Sequence, residues 1–190
     1  LILDEFDKSL EFGFKEEMEY IIQQCGSIKK RILTSATALK EIPDFVGVDD
    51  FVELNYTVGQ LESKSTLTIK SVRVKGDDKL EALMLLLGHI KSQATLVFCN
   101  HREVVYRISD QLTQNKVDHG FYLGALEQID RERTLIKFRN GSTNILITTD
   151  LAARGLDIPE IDVVIHYQLP ATEDVMIHRN GRTARMHADG

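Results

Sequence analysis

The sequence has no basic excess: 23 Lys and Arg stand against 29 Asp and Glu, a net charge of −6. That argues against nucleic-acid binding through overall charge but leaves local basic patches open. Cysteine is scarce. Cys25 and Cys99 lie far apart and in no CxxC pattern, so they read as small core residues in a reducing compartment. No apolar run approaches the roughly 20 residues of a membrane span, and no signal peptide is visible. The expectation is a cytoplasmic protein with no membrane partner. There is no internal repeat, no low-complexity segment and no GxxxxGK[ST] phosphate loop. The chain opens on Leu1-Ile2-Leu3 without an initiator Met, which reads as a piece cut inside a domain. Its 190 residues, 43% of them hydrophobic, fit one ordinary domain plus a partial neighbour.

What is present is an alternation of strand and helix signals. Leu1 to Leu3 is a short strand candidate, and Phe14, Met18, Ile21, Ile22 and Cys25 recur at helical spacing with Gly26 at the capping position. Arg31 to Leu33 reads as a second strand. The stretch 55–65, with little apolar periodicity and carrying Asn, Gly, Thr and Ser, is the linker candidate, dividing the chain into 1–54 and 66–190. Beyond it, Leu67 to Val74 alternates apolar and polar, and Lys79 to His89 is helical. Thr95 to Cys99 is a buried strand, followed by a helix marked by Val104, Val105, Ile108 and Leu112. Glu127 to Phe138 is another helix with Gly141 as its stop. Ile145 to Thr148 and Val163 to His166 are strands, and Thr172 is a helix N-cap. This order predicts an α/β fold, a mostly parallel sheet with helices on both faces. Ligands of such sheets bind beyond the carboxyl ends of the strands.

Several groups fall at those ends. Asp4 and Glu5 follow an apolar strand, where adjacent carboxylates suit Mg²⁺ held through water; the alternative is a surface turn capping the next helix. Ser35 and Thr37 close the second strand, where hydroxyls are also routine turn residues. Thr148-Thr149-Asp150-Leu151-Ala152-Ala153-Arg154-Gly155-Leu156-Asp157 follows a strand directly. Its amides, hydroxyls and glycine suit a phosphate oxygen, and Asp157 suits a ribose hydroxyl; an ordinary strand-to-helix connection is the alternative. His178-Arg179-Asn180-Gly181-Arg182-Thr183-Ala184-Arg185 gathers three arginines and a histidine, either to neutralise phosphate or to complement a helix dipole. Gln128 and Arg131 lie three apart, downstream of Gly124, either gripping a sugar-phosphate backbone or forming a solvated face. Asn100, His101 and Arg102 follow the strand TLVFC.

In order and spacing, LDEFD, SAT, LVFCN, QxxR, TTDLAARGLD and HRNGRTAR closely resemble the DEAD-box family of superfamily 2 RNA helicases. The resemblance runs from residue 1 to about 187. It implies two RecA-like α/β domains joined by a flexible linker, with ATP and single-stranded or locally duplex RNA bound across the cleft between them. Here the first would be partial and the second nearly whole. It implies Asp4 and Glu5 as the Mg²⁺ and water-activating pair, and Asp7, Ser35, Thr37 and His178 as coupling residues. Arg182 and Arg185 would be arginine fingers, and Gly155 and Asp157 would contact the nucleotide. Asn100, Gly124, Gln128, Arg131 and Thr149 would face RNA.

Departures from the family pattern are Phe6 for Ala, Leu123 for His, Ala125 for Asp and Ala184 for Gly. Phe6 is bulky and adjoins the acids, which bears on coupling between Asp7 and Ser35. The family's phosphate loop would lie upstream of Leu1, so the missing N-terminal half of the first helicase domain is an expected partner. The fragment alone is expected to be inactive. The alternative is a non-catalytic RNA- or partner-binding module, and a third reading is a DNA-acting helicase of the same superfamily.

Overall fold

The computed structural model describes residues 1–35, 41–48, 50–55, 67–74, 79–153, 156, 158 and 161–183. The chain forms two compact units, Leu1–Glu62 and Ser63–Gly190. The linker candidate 55–65 lies outside the described residues except for Asn55.

The first unit contains β1 (Ile2–Leu3), α1 (Phe6–Glu11), α2 (Lys15–Gln24), β2 (Ile32–Leu33) and a 3-10 turn at Asp44–Val46. Strands β1 and β2 pair in parallel, Ile2 against Ile32 and Leu3 against Leu33. The expected helix around Met18 is α2. It ends at Gln24 with Cys25 as its cap, so Gly26 is not the capping residue. Helix α1 is the piece the periodicity missed: six residues are too few to show an apolar stripe.

The second unit contains α3 (Leu80–Ile90), β3 (Thr95–Cys99), α4 (Arg102–Gln114), β4 (Gly120–Tyr122), α5 (Gln128–Arg139), β5 (Ile145–Thr149), α6 (Asp150–Ala153), β6 (Val163–His166) and α7 (Glu173–Asn180). Its four strands form one parallel sheet in the order β4-β5-β3-β6. All of β3 is buried, as expected for a strand with neighbours on both sides and helices on both faces. Alternate residues serve opposite layers. Val97 and Cys99 pack with α3 and α4 through Leu83, Leu87, Val105, Ile108 and Leu112. Leu96 and Phe98 pack with Phe138 of α5, Ala152 and Ala153 of α6, and Ile161. Each such aliphatic side chain, fully buried, contributes about 1.5–3 kcal/mol.

Local signals set the ends of these helices. Thr172 caps α7 by accepting a hydrogen bond from the Val175 amide at 3.4 Å. Gly141, at φ 72°, follows α5 in the left-handed conformation that glycine adopts without penalty. Strand β4 was not legible in the sequence. It is three residues long and starts at Gly120, where an added Cβ would meet Thr134 Cγ2 at 3.0 Å. Conversely, the alternating segment 67–74 is not in a strand: Ile69 and Val72 are largely exposed. Alternation makes a strand only where a neighbouring edge accepts its backbone.

The connections define one particular point on the sheet. Helix α4 follows β3 on one face, whereas α6 follows the adjacent β5 on the other. Adjacent parallel strands whose helices depart to opposite faces open a crevice at their carboxyl ends.

Candidate functional site

That crevice is filled by an arginine. Arg179, on α7, is 1% exposed. Its Nε and Nη2 donate to Asp150 Oδ1 and Oδ2 at 2.6 and 2.7 Å, a two-pronged pair with the first residue after β5. Nη2 also donates to Asn100 Oδ1 at 2.8 Å, just beyond β3. Nη1 donates to the Gln168 carbonyl at 2.7 Å, just beyond β6. The guanidinium lies 5.0 Å from the centre of the Phe98 ring. One side chain thus ties three strand ends to α7.

Around it the bonding is dense. Asn100 Nδ2 donates to the Leu169 carbonyl at 3.0 Å, and the Asn100 amide donates to Gln168 Oε1 at 2.9 Å. Both ends of the Asn100 side chain are therefore used within the protein. His166 Nε2 lies 2.9 Å from Asn180 Oδ1, and its Nδ1 lies 3.5 Å from Arg179 Nη1. Burial pulls the His166 pKa below its ordinary value, and the Arg179 charge adds to that. The bond to Asn180 and the Asp150 charge act the other way. Beneath this layer Cys99 is buried, and loss of solvation pushes its thiol up to about 12, which keeps it protonated near neutral pH.

Of the other expected residues of this unit, those described lie at the end of β5, in the turn after β4, on α5, and on or just after α7. Thr149 ends β5, half-buried and in register with Cys99. Gly124 lies in the exposed turn after β4, and Gln128 opens α5. Gln128 Nε2 donates to Glu132 Oε1 at 2.7 Å. Arg131, on the next turn, is half-buried, with an Nε shielded from solvent and without a hydrogen-bond partner. His178 is half-buried on α7. Arg182 Nη1 donates to the Leu156 carbonyl at 3.0 Å, which ties Leu156 to the end of α7. Thr183 reinforces the same junction through the Ile161 carbonyl, 2.5 Å away. Gly155, Asp157 and Arg185 lie outside the described residues, as does Thr37 of the first unit.

In the first unit, β1 delivers Asp4 and Glu5 to a turn beside the end of β2. Asp4 is exposed and Glu5 half-buried. Asp4 Oδ1 accepts from the Glu5 amide at 3.1 Å and from the Thr34 hydroxyl. Glu5 itself stands at φ 49°, ψ 44°, the left-handed region that costs a non-glycine residue. Asp7 lies in the first turn of α1, and Ser35 directly follows Thr34. Among the described residues no cluster of three or more His, Cys, Asp or Glu could hold a metal by itself. No helix among them is long and apolar enough to cross a membrane.

Residues 78–187 match the helicase conserved C-terminal domain family. The chain belongs to the DEAD-box helicase family. Over its full length it is 34% identical to the ATP-dependent RNA helicase eIF4A of Eremothecium gossypii, 48% of which it covers. Among solved structures it is similar to a hypothetical ATP-dependent RNA helicase from Sulfolobus tokodaii. There identity is 33% and the TM-score 0.60, over 100% of this chain and 55% of that one. Dbp5 of S. cerevisiae bound to RNA and ADP·BeF3 shares the fold, with a TM-score of 0.71 at 24% identity, over 97% of this chain and 50% of that one. The chain thus spans about half the length of such curated relatives. The second unit has the RecA-like fold of the helicase conserved C-terminal domain.

Two residues look different in this light. Phe6, where the DEAD-box pattern has Ala, is fully buried and its amide donates to the Thr34 carbonyl at 3.0 Å. Its ring is core, which absorbs the bulk that the sequence comparison flagged beside the acids. Arg179 was present in the arginine-rich helicase motif but not singled out. A clue lay in its helical position: the buried face of α7 needs a residue there, and two neighbouring strand ends carry Asp150 and Asn100 to pair with it.

Proposed function

We propose that this chain is the portion of an ATP-dependent RNA helicase that couples RNA-stimulated ATP hydrolysis to local unwinding. The observation that carries the reading is the rim of the second unit. There the Thr149-Asp150 end of β5, the Asn100 end of β3 and α7, which leads directly to Arg182, are locked together by Arg179. A rigid rim of that kind fixes the helix from which Arg182 emerges before any ligand arrives, which is what electrostatic catalysis requires.

Asp4 would hold Mg²⁺ through water. It fits, because its one bonded oxygen leaves Oδ2 without a hydrogen-bond partner among the described residues, a hard donor suited to a hydrated cation. The bound Mg²⁺-ATP would supply the phosphoanhydride and much of the charge neutralisation. Glu5 orients the attacking water and takes up its proton. Arg182 and Arg185 stabilise charge on the transferring phosphoryl group, and Gly155 and Asp157 contact the nucleotide. Asp7, Ser35, Thr37 and His178 relay nucleotide state. Gly124, Gln128, Arg131 and Thr149 take the RNA backbone. Asn100 serves RNA indirectly, by fixing the turn after β3. Contacts to sugar and phosphate give little sequence preference and strong salt dependence. A reducing, cytoplasmic setting accords with the two free cysteines.

The decisive experiment uses the full-length protein. Arg182→Ala should lower RNA-stimulated ATP turnover by at least a hundredfold, as loss of an arginine finger does. Turnover near wild type would remove Arg182 from the chemistry. This chain alone, which carries no phosphate loop, should not hydrolyse ATP.

A further inference from the structure

We infer that Thr34 is a positioning residue that fixes the Asp4 carboxylate for the metal; this rests on the reading of Asp4 as the Mg²⁺-bearing acid. Thr34 is bonded to the acidic turn at three points. Its amide donates to the Leu3 carbonyl at 3.0 Å, and its own carbonyl accepts from the Phe6 amide at 3.0 Å. Its hydroxyl donates to Asp4 Oδ1. The two backbone bonds bracket Asp4 and Glu5 from either side, and the hydroxyl reaches in between them.

The turn requires such a bracket. Glu5 sits in the left-handed region, where a non-glycine residue persists only if its surroundings hold it. Phe6, fully buried, anchors one end of the turn, and the β1–β2 pairing anchors the other. What the backbone bonds do not fix is rotation of the Asp4 carboxylate. Two donors converging on Oδ1, the Glu5 amide and the Thr34 hydroxyl, fix that rotation. Oδ2 is thereby kept as the oxygen for a hydrated cation. Pre-set carboxylate geometry raises metal affinity because the ligand loses less freedom on binding.

Thr34→Val keeps the side-chain shape and both backbone bonds and removes only the hydroxyl; Thr34→Ser keeps the hydroxyl. In the full-length protein with ADP, Mn²⁺ titrated in place of Mg²⁺ and followed by electron paramagnetic resonance gives metal affinity without catalysis. Thr34→Val should weaken Mn²⁺ binding about three- to tenfold, the range for one ordinary hydrogen bond, because Asp4 is exposed and water competes for it. Thr34→Ser should stay within twofold of wild type, and the Mg²⁺ concentration for half-maximal ATP turnover should shift in parallel. Wild-type Mn²⁺ affinity in Thr34→Val, alongside a clear loss in Asp4→Ala, would overturn the role of Thr34 alone. No loss in Asp4→Ala would overturn the reading of Asp4 as well.

Discussion

Replacing Arg179 with alanine should destabilise the second unit by about 4 kcal/mol. Removing one partner of a buried ion pair costs about 3–5 kcal/mol, because the other charge is left behind. The stranded group is Asp150, whose side chain is 28% exposed, so water relieves part of that cost. Two further acceptors, Asn100 Oδ1 and the Gln168 carbonyl, also lose their donor, at about 1–3 kcal/mol each if left dry. These costs overlap, since one guanidinium serves all three, and the packing on Phe98 goes with it. A domain is stable by only about 5–15 kcal/mol in total, so the variant should fold but open often. Hydrogen exchange of the β3 and β5 amides reads this directly. Their protection should fall by about a thousandfold, at roughly 1.4 kcal/mol per decade, while α2 in the other unit stays as in wild type. Arg179→Lys keeps the charge but not the fork, and should lose about half as much. A fall of less than tenfold in Arg179→Ala would mean that water replaces the guanidinium without penalty, and the lock on the three strand ends would be refuted.

Gly120→Ala should cost about 1–3 kcal/mol, since the new Cβ meets Thr134 Cγ2 at 3.0 Å, and Thr134→Ser should recover most of it in a thermal melt. The His166 pKa is depressed in the folded chain, so the folded state binds fewer protons than the unfolded one below the ordinary value of 6.5. The stability this residue supplies is thus complete above pH 6.5 and lost as pH falls toward its folded pKa. His166→Asn should flatten that part of the pH–stability curve, measured by urea titration between pH 5 and 7. Cys99, buried with a thiol pushed up to about 12, should resist alkylation at pH 8 while the half-buried Cys25 reacts, giving one label per native chain and two after denaturation. Its contribution has the opposite sign: present below pH 9, lost as pH rises toward 12.

Much of this protein was legible in the order of its residues. A run such as TLVFC, bounded by polar turns, has only one stable home: the middle of a parallel sheet covered on both faces. The strands β3, β5 and β6 and the helices α3, α4 and α5 are legible in the residue pattern, and the helicase motifs fall just after those strands because that is where such a sheet exposes its backbone. Short elements escaped, because α1, β4 and α6 hold too few residues to carry a period. The segment 67–74 had the period but no neighbouring edge, and local alternation cannot supply one.

Residue order alone supplied the candidate groups for chemistry: the acids after β1, the hydroxyls after β5, the arginines around α7. Only the tertiary structure decided how they are shared out. It turned Arg179 inward, made Asn100 a strut for it, buried the Phe6 ring, and set Thr34 against Asp4. The physical reason is that a hydrogen bond depends on distance and direction between residues that the chain order keeps up to 79 positions apart. A motif names the donors and acceptors; the packing of strands and helices selects which of them meet.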